Sequence, residues 1–203
     1  MTTVITSKGD QARAEILTAA KRLFLSQGYG STSMRNIAEA AGKRAVGGIY
    51  NHFEGKQAIF EALIAERNPF EEIMNLVASG EGDTASAYIT SIIKEVIPLI
   101  ERNYEFLELV QIDLREFQGE NVKRFTQNNV LPTALVIIQR IQTLPGFKPH
   151  EPIVLLRMMA STVMGYVLSK RIMPPAIVGQ LTEDEWIASY LDMVLNGIVN
   201  EPE

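Results

Sequence analysis

Cysteine is absent from this chain. Disulfides and cysteine-ligated metal sites are therefore excluded. Histidine is scarce, with only His52 and His150. The acids Glu101, Glu105, Glu108, Asp113 and Glu116 lack any Glu-x-x-His motif. A di-iron bundle thus has no ligand set, and a solvated acidic face is the simpler reading. His150 follows Pro149 at a loop and reads as solvated. No metal or other cofactor is expected. Long apolar runs are missing as well. The longest stretch without a charged residue, 125–139, is too short to span a bilayer and is interrupted by Asn128, Asn129 and Pro132. The N-terminus, MTTVITSKGD, lacks an apolar signal core. A soluble cytoplasmic chain with no membrane contact is the expectation. Internal repeats, GxGxxG, P-loop, GxSxG and HExxH are absent too. Nothing in the chain reads as a catalytic constellation, so it is not expected to be an enzyme.

What is present is helical periodicity and an uneven charge. The net charge is −5, yet residues 1–56 hold eight Lys/Arg against four acids, an excess of +4. Residues 57–203 hold eleven bases against twenty acids, or −9. A basic head on an acidic body is the footprint expected when only the head meets phosphates.

The first helix is expected over residues 10–27, with Ile16, Leu17, Ala20, Leu23 and Phe24 on one face. Asp10 is its candidate cap and Gly28 its stop. The second begins near Thr32 or Ser33 and ends at Gly42. A third covers 45–53, with Val46, Ile49, Tyr50 and Phe53 inward, and a fourth opens at Lys56 and pauses at Asn68-Pro69. Further helices are expected over 84–103, 104–117, 120–143, 150–172 and 182–199. Thr182-Glu183-Asp184-Glu185 is a capping box for the last. The expectation is an all-α chain of about nine helices.

Within this pattern, STSMRNIAEAAGKRAVGGIYNHFEGK at 31–56 reads as two short helices around a tight turn. That is the layout of a helix-turn-helix whose second helix lies in the DNA major groove.

Residues 10–60 resemble the N-terminal domain of the TetR family of bacterial transcriptional repressors. The residues that carry the resemblance are Ile16-Leu17, Ala20, Phe24, Gly28-Tyr29, Thr32, Ile37-Ala38, Ala41-Gly42, Gly48-Ile49-Tyr50, His52-Phe53 and Lys56. It implies a three-helix DNA-binding domain at 1–55 and a ligand-binding and dimerisation domain at 56–203. It implies a homodimer that represses from a palindromic double-stranded operator and is released by a small molecule. Two other readings stay open: a helix-turn-helix protein governed by a protein partner, and a helical-bundle enzyme or carrier. One departure stands out. Gly42 to Tyr50 is eight steps where the family usually has seven, and Ala45 stands where a capping serine is often found.

The chemistry of these residues agrees with the resemblance. Thr32 and Ser33, at a helix N-terminus, suit a phosphate. Tyr50, His52 and Lys56 can contact the backbone, which fixes register without reading sequence. Readout falls to Arg44, Val46, Gly47, Gly48 and Asn51, where valine suits a thymine methyl and asparagine suits adenine. For a ligand pocket the apolar candidates are Phe70, Met74, Tyr88, Phe106, Val110, Phe117, Phe125 and Met164. Asp113, with Gln111 or Arg115, would supply polarity. For the dimer interface the candidates are Ile153, Leu156, Ala160, Val163 and Val167 on one helix. Trp186, Ile187, Tyr190, Leu191 and Val194 are those on another.

Overall fold

The structure is a computed structural model that describes residues 7–42 and 45–198. Twelve α-helical segments run in order: α1 (Lys8–Gln27), α2 (Met34–Ala40), α3 (Gly47–Tyr50), α4 (Lys56–Glu66), α5 (Phe70–Ser79), α6 (Ala85–Arg102), α7 (Tyr104–Phe117), α8 (Glu120–Phe125), α9 (Leu131–Ile141), α10 (Pro152–Ile172), α11 (Pro175–Val178) and α12 (Glu183–Ile198). The fold is all-α, with no strand among the described residues.

The excess over nine has local causes. Asn68-Pro69 separates α4 from α5, because a residue before proline avoids the helical region. A π-helical turn, Thr126–Val130, splits the helix expected over 120–143. Pro132 sits in the first turn of α9, where its missing N–H costs nothing. Pro98, by contrast, lies inside α6 on its solvent side, and that helix continues through it.

Caps fix several ends. Ser7, not Asp10, caps α1: its hydroxyl accepts from the Asp10 N–H (3.1 Å), and the Asp10 carboxylate accepts the Ser7 N–H in return. Gly28 ends α1 with φ of 87°, a conformation that side chains resist. Gly119, at φ 78°, turns the chain from α7 into α8.

The chain forms two compact units, residues 1–68 with 104–126, and residues 69–103 with 127–203. The cut at 55/56 therefore does not follow compactness, since α4, α7 and α8 pack with the head. In the first unit Ile16, Leu17, Phe24, Ile37, Ile49, Ile59, Phe60 and Leu63 are fully buried. Each such side chain contributes roughly 1.5–3 kcal/mol by leaving water. Phe24, Tyr29, Phe60 and Phe117 form a ring cluster, with Phe117 stacked on Phe60 at 5.1 Å between centroids.

In the second unit Ile89, Ile92, Ile93, Val96, Ile97 and Leu99 of α6 form the spine. α5, α10 and α12 pack against that helix, and α9 packs on α5 and α10. α10 is long and apolar enough to cross a membrane by length and composition, and only 17% of its apolar stretch is buried. Arg157 lies inside that helix.

Candidate nucleic-acid interface

The head presents α2, a turn and α3. Ser33 caps α2: its hydroxyl accepts from the Asn36 N–H (3.1 Å), and the Asn36 side chain accepts the Ser33 N–H (2.9 Å). Thr32 differs from expectation. Its side chain is buried, its hydroxyl donates to the Gly28 carbonyl (2.8 Å), and it accepts from Gln27 (3.2 Å). It fastens the α1–α2 turn and offers nothing to a phosphate. Ser33 remains exposed at the helix end.

α3 is shorter than the expected 45–53. Only Gly47–Tyr50 is α-helical, flanked by single turns in which Gly48 N–H reaches Ala45 O and His52 N–H reaches Ile49 O. No side chain among the described residues caps its start. Two glycines, each costing up to about 1 kcal/mol against alanine, and the lack of a cap account for its length. Ile49 and Phe53 point inward and are buried, one helical turn apart. Gly47, Tyr50 and Asn51 are thereby turned out, with Tyr50 55% exposed. Tyr50 is thus an outer residue, not an inward one. Val46, Gly48 and His52 are half-buried. Arg44 and its neighbour Lys43 lie outside the described residues.

Several bases of the head are committed within it. Lys56 donates to the Tyr29 carbonyl (2.7 Å) and lies over the Tyr29 ring at 4.2 Å. Arg13 forms a two-pronged pair with Glu66 and covers the Phe53 ring at 4.6 Å. Lys21 pairs with Glu105. Residues 57–68 add one base and two acids, and 104–126 add three bases and five acids, so the first unit as a whole carries +1. Any attraction of this unit for an anion is therefore local. Arg35, its side chain 81% exposed, forms a surface pair with Glu39.

The pocket candidates divide between the units. Phe106, Val110, Asp113, Phe117 and Phe125 belong to the first, and Phe70, Met74, Tyr88 and Met164 to the second. Asp113 is not a pocket residue. It is fully buried, accepts from Asn121 (2.7 Å) and the Val122 N–H (3.0 Å), and so ties α7 to α8. Phe117 belongs to the ring cluster, and the Tyr88 hydroxyl is spent on the Val77 carbonyl. Burial holds the Tyr88 hydroxyl pKa above its ordinary value.

The interface candidates divide by burial. Val163, Val167, Ile187 and Leu191 are buried within the chain and form its core, not an outer surface. Leu156, Trp186, Tyr190 and Val194 are half-buried, while Ile153 and Ala160 are exposed. The outer apolar face of α10 is a different stripe: Val154, Met158, Ser161, Gly165 and Ile172, all exposed. A Cβ built on Gly165 would meet nothing.

Residues 16–63 match the family model described as bacterial regulatory proteins, tetR family. The helix-turn-helix transcriptional regulator YfiR of Bacillus subtilis is 33% identical over 115 residues, covering 57% of this chain and 55% of that protein. The transcriptional repressor BepR of Brucella suis is 43% identical over 65 residues, covering 32% of this chain and 31% of that protein. The chain thus spans about half the length, or less, of these curated relatives. The fold extends further. The solved SmeT–triclosan complex covers 94% of this chain and 93% of its own, with a TM-score of 0.67 at 20% identity.

Proposed function

We propose that this chain, which belongs to the TetR family of bacterial regulators, works as a homodimeric repressor that holds a palindromic operator and lets go when a small molecule binds its helical body. The observation that carries the DNA reading is the outward display of Gly47, Tyr50 and Asn51 above the buried pair Ile49 and Phe53. A buried anchor fixes the helix while its outer side enters the groove. Asn51 and Val46 read bases. Tyr50, His52 and Ser33 hold phosphates, and open space around Gly47 lets the backbone approach. Arg44 belongs to the same readout surface in this reading. The dimensions of B-DNA require the two heads to sit about one helical turn, ~34 Å, or a multiple apart. Such a cytoplasmic regulator needs no catalytic group.

The dimer face in this reading is the exposed stripe Val154, Met158, Ser161, Gly165 and Ile172, spaced 4, 3, 4 and 7 residues apart. Serine and glycine at its middle allow close helix approach, and apolar flanks supply burial. Ligand release follows if a small molecule prefers the state whose heads are wrongly spaced, and it shifts the balance only by that preference. SmeT was solved with triclosan, which supports a ligand role for a body of this fold. Phe70, Met74, Tyr88 and Met164 are the pocket candidates within the second unit.

Fluorescence anisotropy with the DNA upstream of the chain's own gene tests the reading. Expected is a salt-dependent complex with one palindromic site that Tyr50→Phe and Asn51→Ala weaken, the second with loss of sequence preference. Equal affinity for that site and for scrambled DNA would overturn it. Sedimentation velocity tests the face: Val154→Glu with Met158→Glu should convert a dimer to monomers. A parent chain that is monomeric at micromolar concentration refutes the dimer.

A further inference from the structure

A cavity of about 190 Å3 lies in the second unit, between the C-terminal end of α10, α11 and the first turn of α12. Its walls are apolar and aromatic: Trp186, Tyr166, Met173 and Ile177. Trp186 is held in place because its indole N–H donates to the Val178 carbonyl (2.9 Å). An apolar cavity of about 150 Å3 is enough to take benzene, so this one has room for a single ring and a short chain.

The polar side of the cavity is charged. The Lys170 ammonium bridges Glu101 (2.8 Å) and Glu183 (2.5 Å), and the Tyr166 hydroxyl donates to Glu183 (3.2 Å). Two carboxylates against one ammonium leave one negative charge uncompensated. Asp184 and Glu185 follow Glu183 in the first turn of α12 but are exposed and lie outside the cavity lining. Burial, then the Glu183 charge, pushes the Tyr166 hydroxyl well above its usual range, so it stays protonated. Burial alone would lower the Lys170 pKa, but its bonds to Glu101 and Glu183 raise it, so Lys170 stays charged. An incoming anion would have to displace a glutamate from Lys170. An incoming ammonium meets the Glu183 carboxylate, which it would share with Lys170, and the aromatic side chains of Trp186 and Tyr166 line the same cavity.

We propose that this cavity is a binding site for a compact aromatic amine, its ring against Trp186, Met173 and Ile177 and its ammonium at Glu183. The site stands independently of the DNA reading. Its chemistry of recognition is one apolar ring of about benzene size joined by a short chain to one positive charge.

The chain has a single tryptophan, and it lines this cavity, so its emission reports occupancy directly. The probe is phenethylamine, titrated into the full chain with excitation at the red edge of indole absorption. Its isosteric anion 3-phenylpropionate is the comparison. Expected is a saturable change in Trp186 emission with the amine, at least tenfold weaker binding of the carboxylate, and at least tenfold weaker amine binding in Glu183→Gln. Lys170→Gln removes the competing ammonium and should tighten the amine, which gives a second arm if Glu183→Gln fails to fold. No saturable response up to about 10 mM amine would overturn the proposal. So would equal binding of amine and carboxylate, or weaker amine binding in Lys170→Gln.

Discussion

Lys56 offers the sharpest test of how the head is built. Sequence chemistry gives its ammonium to a DNA phosphate, whereas the fold gives it to Tyr29. The ammonium donates to the Tyr29 carbonyl at 2.7 Å and sits 4.2 Å from the Tyr29 ring centre. The same carbonyl accepts the Thr32 N–H at 3.2 Å, so Lys56 braces the turn that launches α2. Lys56→Met keeps most of the apolar stem and deletes the charge. A hydrogen bond with a charged donor is worth about 1.5–3 kcal/mol, and a partly exposed cation–π contact about 0.5–1 kcal/mol. Lys56 is half-buried, and water competes for it, so the low ends apply and the expected loss is about 2 kcal/mol. For a chain of this length, that is a fall of about 4–8 °C in melting temperature. Far-UV circular dichroism reads the melt, and amide exchange reads lost protection at Thr32. Salt-dependent anisotropy on operator DNA separates the two roles, since loss of one phosphate contact lowers the slope of log K against log salt by about 0.9. A variant that melts like the parent and loses one such unit of slope refutes the brace.

Gly47→Ala should stabilise α3 by up to about 1 kcal/mol, since the position is open and its backbone suits alanine. The same change should weaken operator binding if the backbone at Gly47 presses on DNA, and unchanged anisotropy would count against that approach. Asp113→Ala strands the Asn121 amide and the Val122 N–H, both now bonded to a buried carboxylate. A loss of roughly 2–4 kcal/mol is expected from the urea midpoint, and a change under about 0.5 kcal/mol would refute its role. Asp10 and Glu185 are held below the ordinary carboxylate range by hydrogen bonds from Ser7 and Thr182. A depressed carboxylate contributes stability that is present above its unfolded value and lost as pH falls through its folded value. The N-terminal turns of α1 and α12 should therefore hold at neutral pH and fray only in acid. Carboxyl NMR titration checks this, and midpoints at or above those of free carboxylates would refute it.

Local signals in the chain were strong where one element decides its own ends. Gly28, Ser33, Pro69 and Thr182 mark real boundaries, because caps and breakers act on their own backbone. Signals failed where a partner distant in sequence decides. Nothing around Lys56 points to Tyr29, 27 residues earlier, and nothing around α7 announces that Phe117 will stack on Phe60. Thr32 looked like a cap because its hydroxyl is next to a helix start, yet the Gly28 carbonyl lies one turn back and takes it first.

α10 shows the deepest reason. The stripe Ile153, Leu156, Ala160, Val163 and Val167 is spaced 3, 4, 3 and 4, while Val154, Met158, Ser161, Gly165 and Leu168 is spaced 4, 3, 4 and 3. Both satisfy helical periodicity, so the pattern alone does not choose which faces inward. The choice depends on residues distant in sequence. Lys170 must reach Glu101 on α6 and Glu183 on α12, and Tyr190 must reach Thr162. Those contacts accompany the rotation that buries Leu155, Val163 and Val167 and turns Val154, Met158 and Gly165 outward. Apolar periodicity alone thus leaves the rotation of α10 open, and it is legible only once Lys170, Tyr190 and their distant partners are placed.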